Sequence, residues 1–496
     1  MNTEKGNRKV NYFVESLPAY ISWILLSSPF WAVFLAPRFI AFFIILFDIY
    51  FFWKAALLGI NSIRGYLKIK QVSRDFWVKK MRGEKLDYSK VKHFIFIPTY
   101  KEPIEILDRT LTFLSEQELQ TKQVSIVLAT EKREEGVLEK AQNLKKRYSR
   151  HFDNFLITSH VLEGGEVVGK SSNLSFAAKE TKSFVEQKGY DKNFILATSC
   201  DADVLLHPKY LSNLTYKFLK DPEKYLRFWQ GALVFYNNIW RVPIFVRVVH
   251  TIYSINGIAE LLRPGSNFNY STYSLSWNLL EETNFWDADV VAEDWHLFFK
   301  AFFLHKGSVS LDSIFLPLFA DAAEGSSYWK SLQAQYKQNR RWAWGVTDIG
   351  YAIREFWKRR AEISKINFFF RFARALEQHL LWPANWWLLT LGASIPPLIN
   401  PAFRFTALGF YLPRISGFIL TVCAIFIVCV IVVDWLLRPP RPEYFKKSFL
   451  PFTILQYILL PLTGLLFGAL PGMDAHTRLI LGKRLDYQVT EKISKK

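Results

Sequence analysis

The run ILATSCDADVLLHPKYL, residues 195–211, closes an apolar stretch with two carboxylates, Asp201 and Asp203, one alanine apart. Acids at i and i+2 beyond a strand can both turn toward a hard cation, Mg2+ or Mn2+, which takes oxygen ligands, bridges a diphosphate and neutralises charge on a leaving group. The same residues also suit an ordinary turn, with Asp203 capping a helix that begins near Pro208. A second acidic pair, Glu293 and Asp294, stands in DVVAEDWHLFFKAFFLHKG at the start of an amphipathic run. A carboxylate there can deprotonate a hydroxyl within hydrogen-bond reach, although acids favour any first helical turn. In QYKQNRRWAWG, Gln338, Arg341 and Trp342 fall at i, i+3 and i+4, so a helix puts them on one face. Arginine's fork of donors fits phosphate oxygens, and tryptophan offers a flat surface for a sugar ring. The competing assignment is a basic helix whose Arg340 and Arg341 meet lipid phosphates.

These side chains need elements to hold them. KHFIFIPTY, QVSIVLAT, NFLITSH and NFILATS read as buried strands, while EPIEILDRTLTFLSEQ and GKSSNLSFAAKETKSFVEQKG read as helices between them. Such alternation predicts βαβ units and a mostly parallel sheet, in which ligands bind beyond the carboxyl ends of the strands. Thr99 to Glu102, Glu131, and Asp201 with Asp203 all fall at such ends.

The 496 residues carry a formal charge of +19, and the chain is half hydrophobic, with apolar residues crowded toward its two ends. Segments 17–36, 39–60, 380–399, 415–437 and 450–470 are each about long enough to cross a ~30 Å hydrocarbon core. A multi-pass membrane protein follows, with a polar block from about 62 to 370. Lys5, Arg8 and Lys9, then Arg64, Lys68 and Lys70, then LLRPPRPEYFKKS predict a central domain on the cytoplasmic side of the cell (inner or plasma) membrane. Five full crossings would leave the basic tail on the opposite side, so 450–470, interrupted by Pro461 and Gly464, is expected to be a hairpin that does not cross. Asp48, costly toward lipid, lines a path through the bundle or pairs within it. Stretches 240–264 and 353–375 mix Arg and Lys with aromatic residues, as helices lying in a membrane interface do. The positive charge then serves orientation and affinity for anionic lipid; no nucleic-acid signature accompanies it, and no nucleic-acid partner is expected. Cys200, Cys423 and Cys429 suggest neither a disulfide framework nor a zinc site.

PTYKE, GKSSN, DAD, AED and QNRRW, in this order and between apolar segments, resemble the inverting family 2 glycosyltransferases, above all the membrane-embedded processive polysaccharide synthases of the cellulose, chitin and hyaluronan synthase type. The resemblance implies a GT-A-like α/β domain with a Rossmann-like, mostly parallel sheet. The expected organisation is an N-terminal transmembrane hairpin (1–61), a cytoplasmic glycosyltransferase domain (62–352), an amphipathic interface helix (353–375), a C-terminal transmembrane region (376–471) and a basic cytoplasmic tail (472–496). It implies transfer of a sugar from a nucleotide-diphosphate sugar, usually a UDP-sugar in such enzymes, to a growing polysaccharide, with inversion and with export as a possible second task. By the same resemblance Thr99 and Glu102 lie near the nucleotide, and Glu131 stands where an aspartate beside uracil and ribose is common. Lys170 and Asn173 match the helix start near the donor. Asp201 and Asp203 match the metal and donor motif, with Asp203 the direct ligand of Mg2+ or Mn2+. Asp294, beside Glu293, matches the general base. Gln338, Arg341 and Trp342 match the signature that holds the diphosphate and frames the acceptor. Three departures stand out: Glu131 is a methylene longer than aspartate, Ala292 replaces a common threonine, and GSNFNYSTYSLSW (265–277) lacks the arginines often found there.

The expected partners are a nucleotide-sugar donor, a polysaccharide or lipid-linked acceptor, and membrane lipids. Single transfer to a lipid carrier or glycolipid would use the same residues, and product length separates it from repeated addition. A non-catalytic subunit or transporter with the same fold would tolerate Asp294→Asn.

Overall fold

The computed structural model describes residues 2–483 and 485, apart from 264 and 266, with side chains from residue 12 onward. Residues 484 and 486–496 of the basic tail, and the side chains of Lys5, Arg8 and Lys9, lie outside the described residues. Eight strands form one sheet: β1 (Lys92–Thr99), β2 (Val124–Glu131), β3 (Asn154–His160), β4 (Ile195–Ser199), β5 (Leu205–Leu206), β6 (Arg227–Val234), β7 (Tyr273–Ser276) and β8 (Ser310–Phe319). Their order is β3-β2-β1-β4-β7-β6-β8-β5. The β3-β2-β1-β4 half is parallel throughout, as is β6-β8; β7 enters antiparallel between β4 and β6, and β5 is antiparallel to β8. This is the α/β class with a mostly parallel sheet expected from the sequence.

The apolar runs are continuous because both faces of the strands are covered. Phe94, Phe96, Val127 and Ala129 point into one core, with Leu174, Ala177, Leu297 and Phe298. Ile95, Ile97, Ile126 and Leu128 point into the other, with Leu107 and Leu111. Each such large side chain, fully buried, contributes about 1.5–3 kcal/mol. Ile69, Val72, Val430 and Val433 belong to that second core. The long terminal helices therefore dock directly on the domain.

The helices that matter below are α1 (Asn2–Leu35), α2 (Pro37–Arg74), α3 (Ile104–Ser115), α4 (Lys170–Lys188), α5 (Ile244–Glu260), α6 (Glu293–Leu304), α7 (Tyr328–Ala343), α8 (Thr347–Arg359), α9 (Lys365–Trp387) and α10 (Ala407–Leu437). Among the described residues four helical stretches are long and apolar enough to cross a membrane: Tyr12–Leu35, Pro37–Arg74, Ala407–Leu437 and Lys447–Ile480. Two expectations change here. The 380–399 stretch is not one long helix: α9 ends at Trp387, a π-helical turn covers Leu388–Gly392, and a short helix, Ile395–Ile399, follows. Pro396 and Pro397, lacking N–H donors, can begin a helix but cannot continue one. Nor does 450–470 fold back as a hairpin. Residues 447–480 continue as one helical run, in which Pro461 and Pro471 each sit in the first turn of a new helical piece, where the missing N–H costs nothing. The 353–375 stretch is divided between α8 and α9 by a break at 360–364.

Helix α2 packs along both α10 and α5, and glycine permits the approach to α5. A Cβ on Gly65 would stand 2.7 Å from the carbonyl oxygen of Ile258 and 2.8 Å from its Cγ2. Gly65→Val is expected to cost about 1–3 kcal/mol through overpacking, read as a lower melting temperature of the detergent-purified protein. Gly83→Ala, where a Cβ meets nothing within 4 Å, is expected to stay within about 0.5 kcal/mol of the parent.

Candidate active site

The parallel register aligns the carboxyl ends of three strands. Thr99 of β1 pairs with Thr130 of β2, and Phe96 of β1 with Ser199 of β4. From β1 the sheet runs to β2 and β3 on one side and to β4 on the other. A crevice opens at such a reversal of strand order. It is a cavity of about 430 Å3. All twelve residues singled out in the sequence line it: Thr99, Glu102, Glu131, Lys170, Asn173, Asp201, Asp203, Glu293, Asp294, Gln338, Arg341 and Trp342.

Lys170 stands at the centre. Gly169 precedes α4 with φ 149°, a conformation open to glycine but strained for other residues, and so turns the first helical residue into the crevice. The Lys170 ammonium lies 2.7 Å from Asp201 Oδ1 and 2.7 Å from Glu293 Oε1, and donates to the Ser271 carbonyl at 2.7 Å. Burial alone would depress its pKa, but the charges of Asp201 and Glu293 outweigh that and hold it well above the ordinary lysine value.

Ser271 ties this ammonium to the second acidic pair. Its hydroxyl donates to Asp201 Oδ2 and its backbone N–H to Asp294 Oδ2 at 3.1 Å. Its φ of 58° is uncommon for a residue with a side chain, and the bonds to Lys170, Asp201 and Asp294 hold it there. Asp294 Oδ1 accepts from the Trp295 N–H at 2.9 Å. Burial raises the pKa of Asp294, with Lys170 and the two backbone donors opposing. Burial also raises Glu293, opposed by Lys170 and reinforced by Asp294. A carboxyl lifted above its usual range within a cleft is matched to proton transfer.

The remaining residues frame the cavity. Asp203 is buried at its wall and caps no helix: β5 follows at once, and the next helix starts at Tyr210 behind Lys209 without a side-chain cap. Glu102 accepts from Thr99 Oγ1 at 2.9 Å and from the Tyr100 N–H, fixing the turn after β1. Glu131 pairs with Arg133, whose guanidinium lies 3.9 Å from the Tyr100 ring centroid. Asn173 donates its amide inward to the Ala129 carbonyl at 2.8 Å, anchoring α4 to β2. Gln338, Arg341 and Trp342 share the cavity-facing side of α7. The Trp342 ring lies 5.5 Å from Tyr253 and 6.2 Å from Phe235, and Tyr253 lies 6.5 Å from Trp382.

Among the described residues no three His, Cys, Asp or Glu side chains converge as a preformed metal cage. Asp201 is engaged by Lys170. Such a donor set fits Mg2+ or Mn2+, which binds through one or two carboxylates together with substrate phosphates. Sequence reasoning missed Ser271, Tyr253 and Trp382 as parts of the site. Ser271 lay inside the flagged 265–277 segment, but its positive φ leaves no mark on residue type. Lys170→Met is expected to leave the buried Glu293 carboxylate without its counter-charge, costing up to about 3–5 kcal/mol, read as a lower melting temperature, with a smaller loss in Lys170→Arg.

Residues 198–437 match a family model described as glycosyl transferase family group 2. No curated protein matches the sequence. Among solved structures, the mannosyltransferase PcManGT from Pyrobaculum calidifontis, in complex with GDP-Man and Mn2+, aligns with TM-score 0.44 and 15% identity over 76% of this chain and 99% of its own. TarS of S. aureus aligns with TM-score 0.29 and 13% identity over 71% of this chain and 56% of its own. GalNAc-T7 with UDP, GalNAc and Mn2+ gives 0.34 and 10% over 59% of this chain and 58% of its own. Over residues 198–437, a little under half of its length, the chain is thus similar to the glycosyltransferases of family group 2, enzymes of sugar transfer.

Proposed function

We propose that the protein transfers a sugar from a nucleotide-diphosphate sugar, with UDP-sugars the first donors to test, to a growing polysaccharide with inversion at the anomeric carbon. The reaction runs on the cytoplasmic face of the cell membrane, where the long apolar helices offer the product a route of export. One observation carries this: a single cavity holds a largely enclosed ammonium, four carboxylates from two motifs, and Gln338, Arg341 and Trp342 of α7.

In this scheme Lys170 and Arg341 face the diphosphate, and Trp342 with Tyr253 offers stacking surfaces for the acceptor ring. Asp294 takes the acceptor hydroxyl's proton. The freed oxygen bonds to the anomeric carbon as the carbon–oxygen bond to the diphosphate breaks, and that electron pair leaves on the β-phosphate oxygen. Asp203, with Asp201, would hold a divalent ion whose charge supports the leaving diphosphate. The raised pKa makes the Asp294 carboxylate a stronger base than an ordinary aspartate; protonation of Asp294 as pH falls should lower turnover on the acid side.

Purified enzyme in lipid, screened against UDP- and GDP-sugars with and without Mn2+, is expected to release nucleoside diphosphate only with the metal. Asp294→Asn is expected to lose at least ~10²-fold in turnover while still binding UDP; unchanged turnover would refute the assigned base. Long products support the synthase, whereas one added sugar indicates transfer to a lipid carrier or glycolipid.

A further inference from the structure

Two residues beyond Asp294, the same helix carries a histidine whose surroundings are unlike those of the other buried histidines. His296 is 8% exposed and lies between two carboxylates. Its Nδ1 is 2.9 Å from Asp348 Oδ1 on α8, and its Nε2 is 3.1 Å from Asp287 Oδ2 in the segment leading into α6. By contrast, buried His160 meets a single carboxylate, Glu166, and neither ring nitrogen of His379 or His476 has a hydrogen-bond partner.

A neutral imidazole has one N–H and could donate to only one of the two acids. The imidazolium donates to both. The Tyr351 ring, its centroid 4.3 Å from that of His296, closes a third side. Other charged groups nearby are Lys300 of α6, paired with Asp287, Glu293 of the same helix, and Glu355 and Arg359 of α8, which surround Tyr351. Burial by itself would discharge the ring. The hydrogen bonds to Asp287 and Asp348, then their charges, outweigh it and raise its pKa to about 9.

What this group touches reaches both halves of the site. The Asp287 carbonyl accepts from the Ser171 hydroxyl, next to Lys170, and the neighbouring Ala288 carbonyl accepts from the Val167 N–H at 2.8 Å. Asp348 opens α8, just beyond α7 and Trp342. We infer that His296 is a positioning residue for the transfer reaction: as an imidazolium it locks the start of α6, with Glu293 and Asp294, against the start of α4 and the helices that follow Gln338, Arg341 and Trp342.

This rests on Asp294 as the base in the proposed reaction. Loss of the strut leaves the donor pocket formed but the base misplaced, and such misplacement lowers turnover more than affinity. The folded-state pKa is raised, so the strut is fully charged below the ordinary histidine range and is lost as pH rises through about 9.

The test uses the full-length enzyme in detergent with the UDP- or GDP-sugar that supports turnover, comparing wild type with His296→Gln, His296→Arg, Asp348→Asn and Asp294→Asn. His296→Gln is expected to lose about 10-fold or more in kcat with donor KM within about two-fold. His296→Arg, which keeps two donors and a charge at every pH, is expected to recover most of the loss and to lack the alkaline decline of the wild type near pH 9. Asp348→Asn, a milder change, should lose kcat in the same direction and move that decline to lower pH. The inference is overturned if His296→Gln and Asp348→Asn keep wild-type kcat, or if His296→Arg shows the same alkaline decline as wild type. An active Asp294→Asn beside a crippled His296→Gln would instead overturn the base on which the inference stands.

Discussion

Burying an ammonium costs several kcal/mol unless opposite charges meet it at close range, and the Lys170 side chain is only 13% exposed. Asp201 and Glu293 meet it, each at 2.7 Å. They come from different parts of the chain, one from the loop after β4 and one from the first turn of α6. Each ion pair offsets the cost of enclosing the charges that form it. The β4 edge, the α4 start and the α6 start are therefore energetically one object, and Ser271 adds Asp294 to it through its backbone N–H.

That object sets demands on the rest of the fold. The sheet must hold β1, β2 and β4 in parallel register so that their carboxyl ends open on one side. Both faces must be packed, which the alternation of Phe94, Ile95, Phe96 and Ile97 between two cores achieves. The α7 helix must then return over the opening with Gln338, Arg341 and Trp342 facing in. Because Ile69, Val72, Val430 and Val433 share a core with the strands, the long apolar helices and the cavity are parts of one packed structure.

Much of this was readable from residue order. The four strands of the parallel half and helices α3 and α4 are signalled by period and punctuation, and D-x-D, Glu293-Asp294 and Gln338 to Trp342 each follow from side chains that share a face or an end. What was not readable depends on contacts between distant segments or on backbone conformation. Ser271 matters through a positive φ that its residue type disfavours. His296 looks like any amphipathic-helix histidine until Asp287 and Asp348 arrive from elsewhere. The 450–470 stretch was expected to turn back because proline and glycine usually end helices. Here Pro461 and Pro471 occupy first-turn positions, and Gly464 and Gly468 lie against Trp386, so close packing favours continuation over reversal.

The central claim is that the Lys170 cluster forms a donor-diphosphate site that offers a divalent ion too few protein ligands to hold it alone. Electron paramagnetic resonance of Mn2+ titrated into the purified enzyme, with and without UDP or GDP, tests this directly. Immobilised Mn2+ only when a nucleoside diphosphate is present is the predicted result. Tight binding without nucleotide, or none with either, would contradict it.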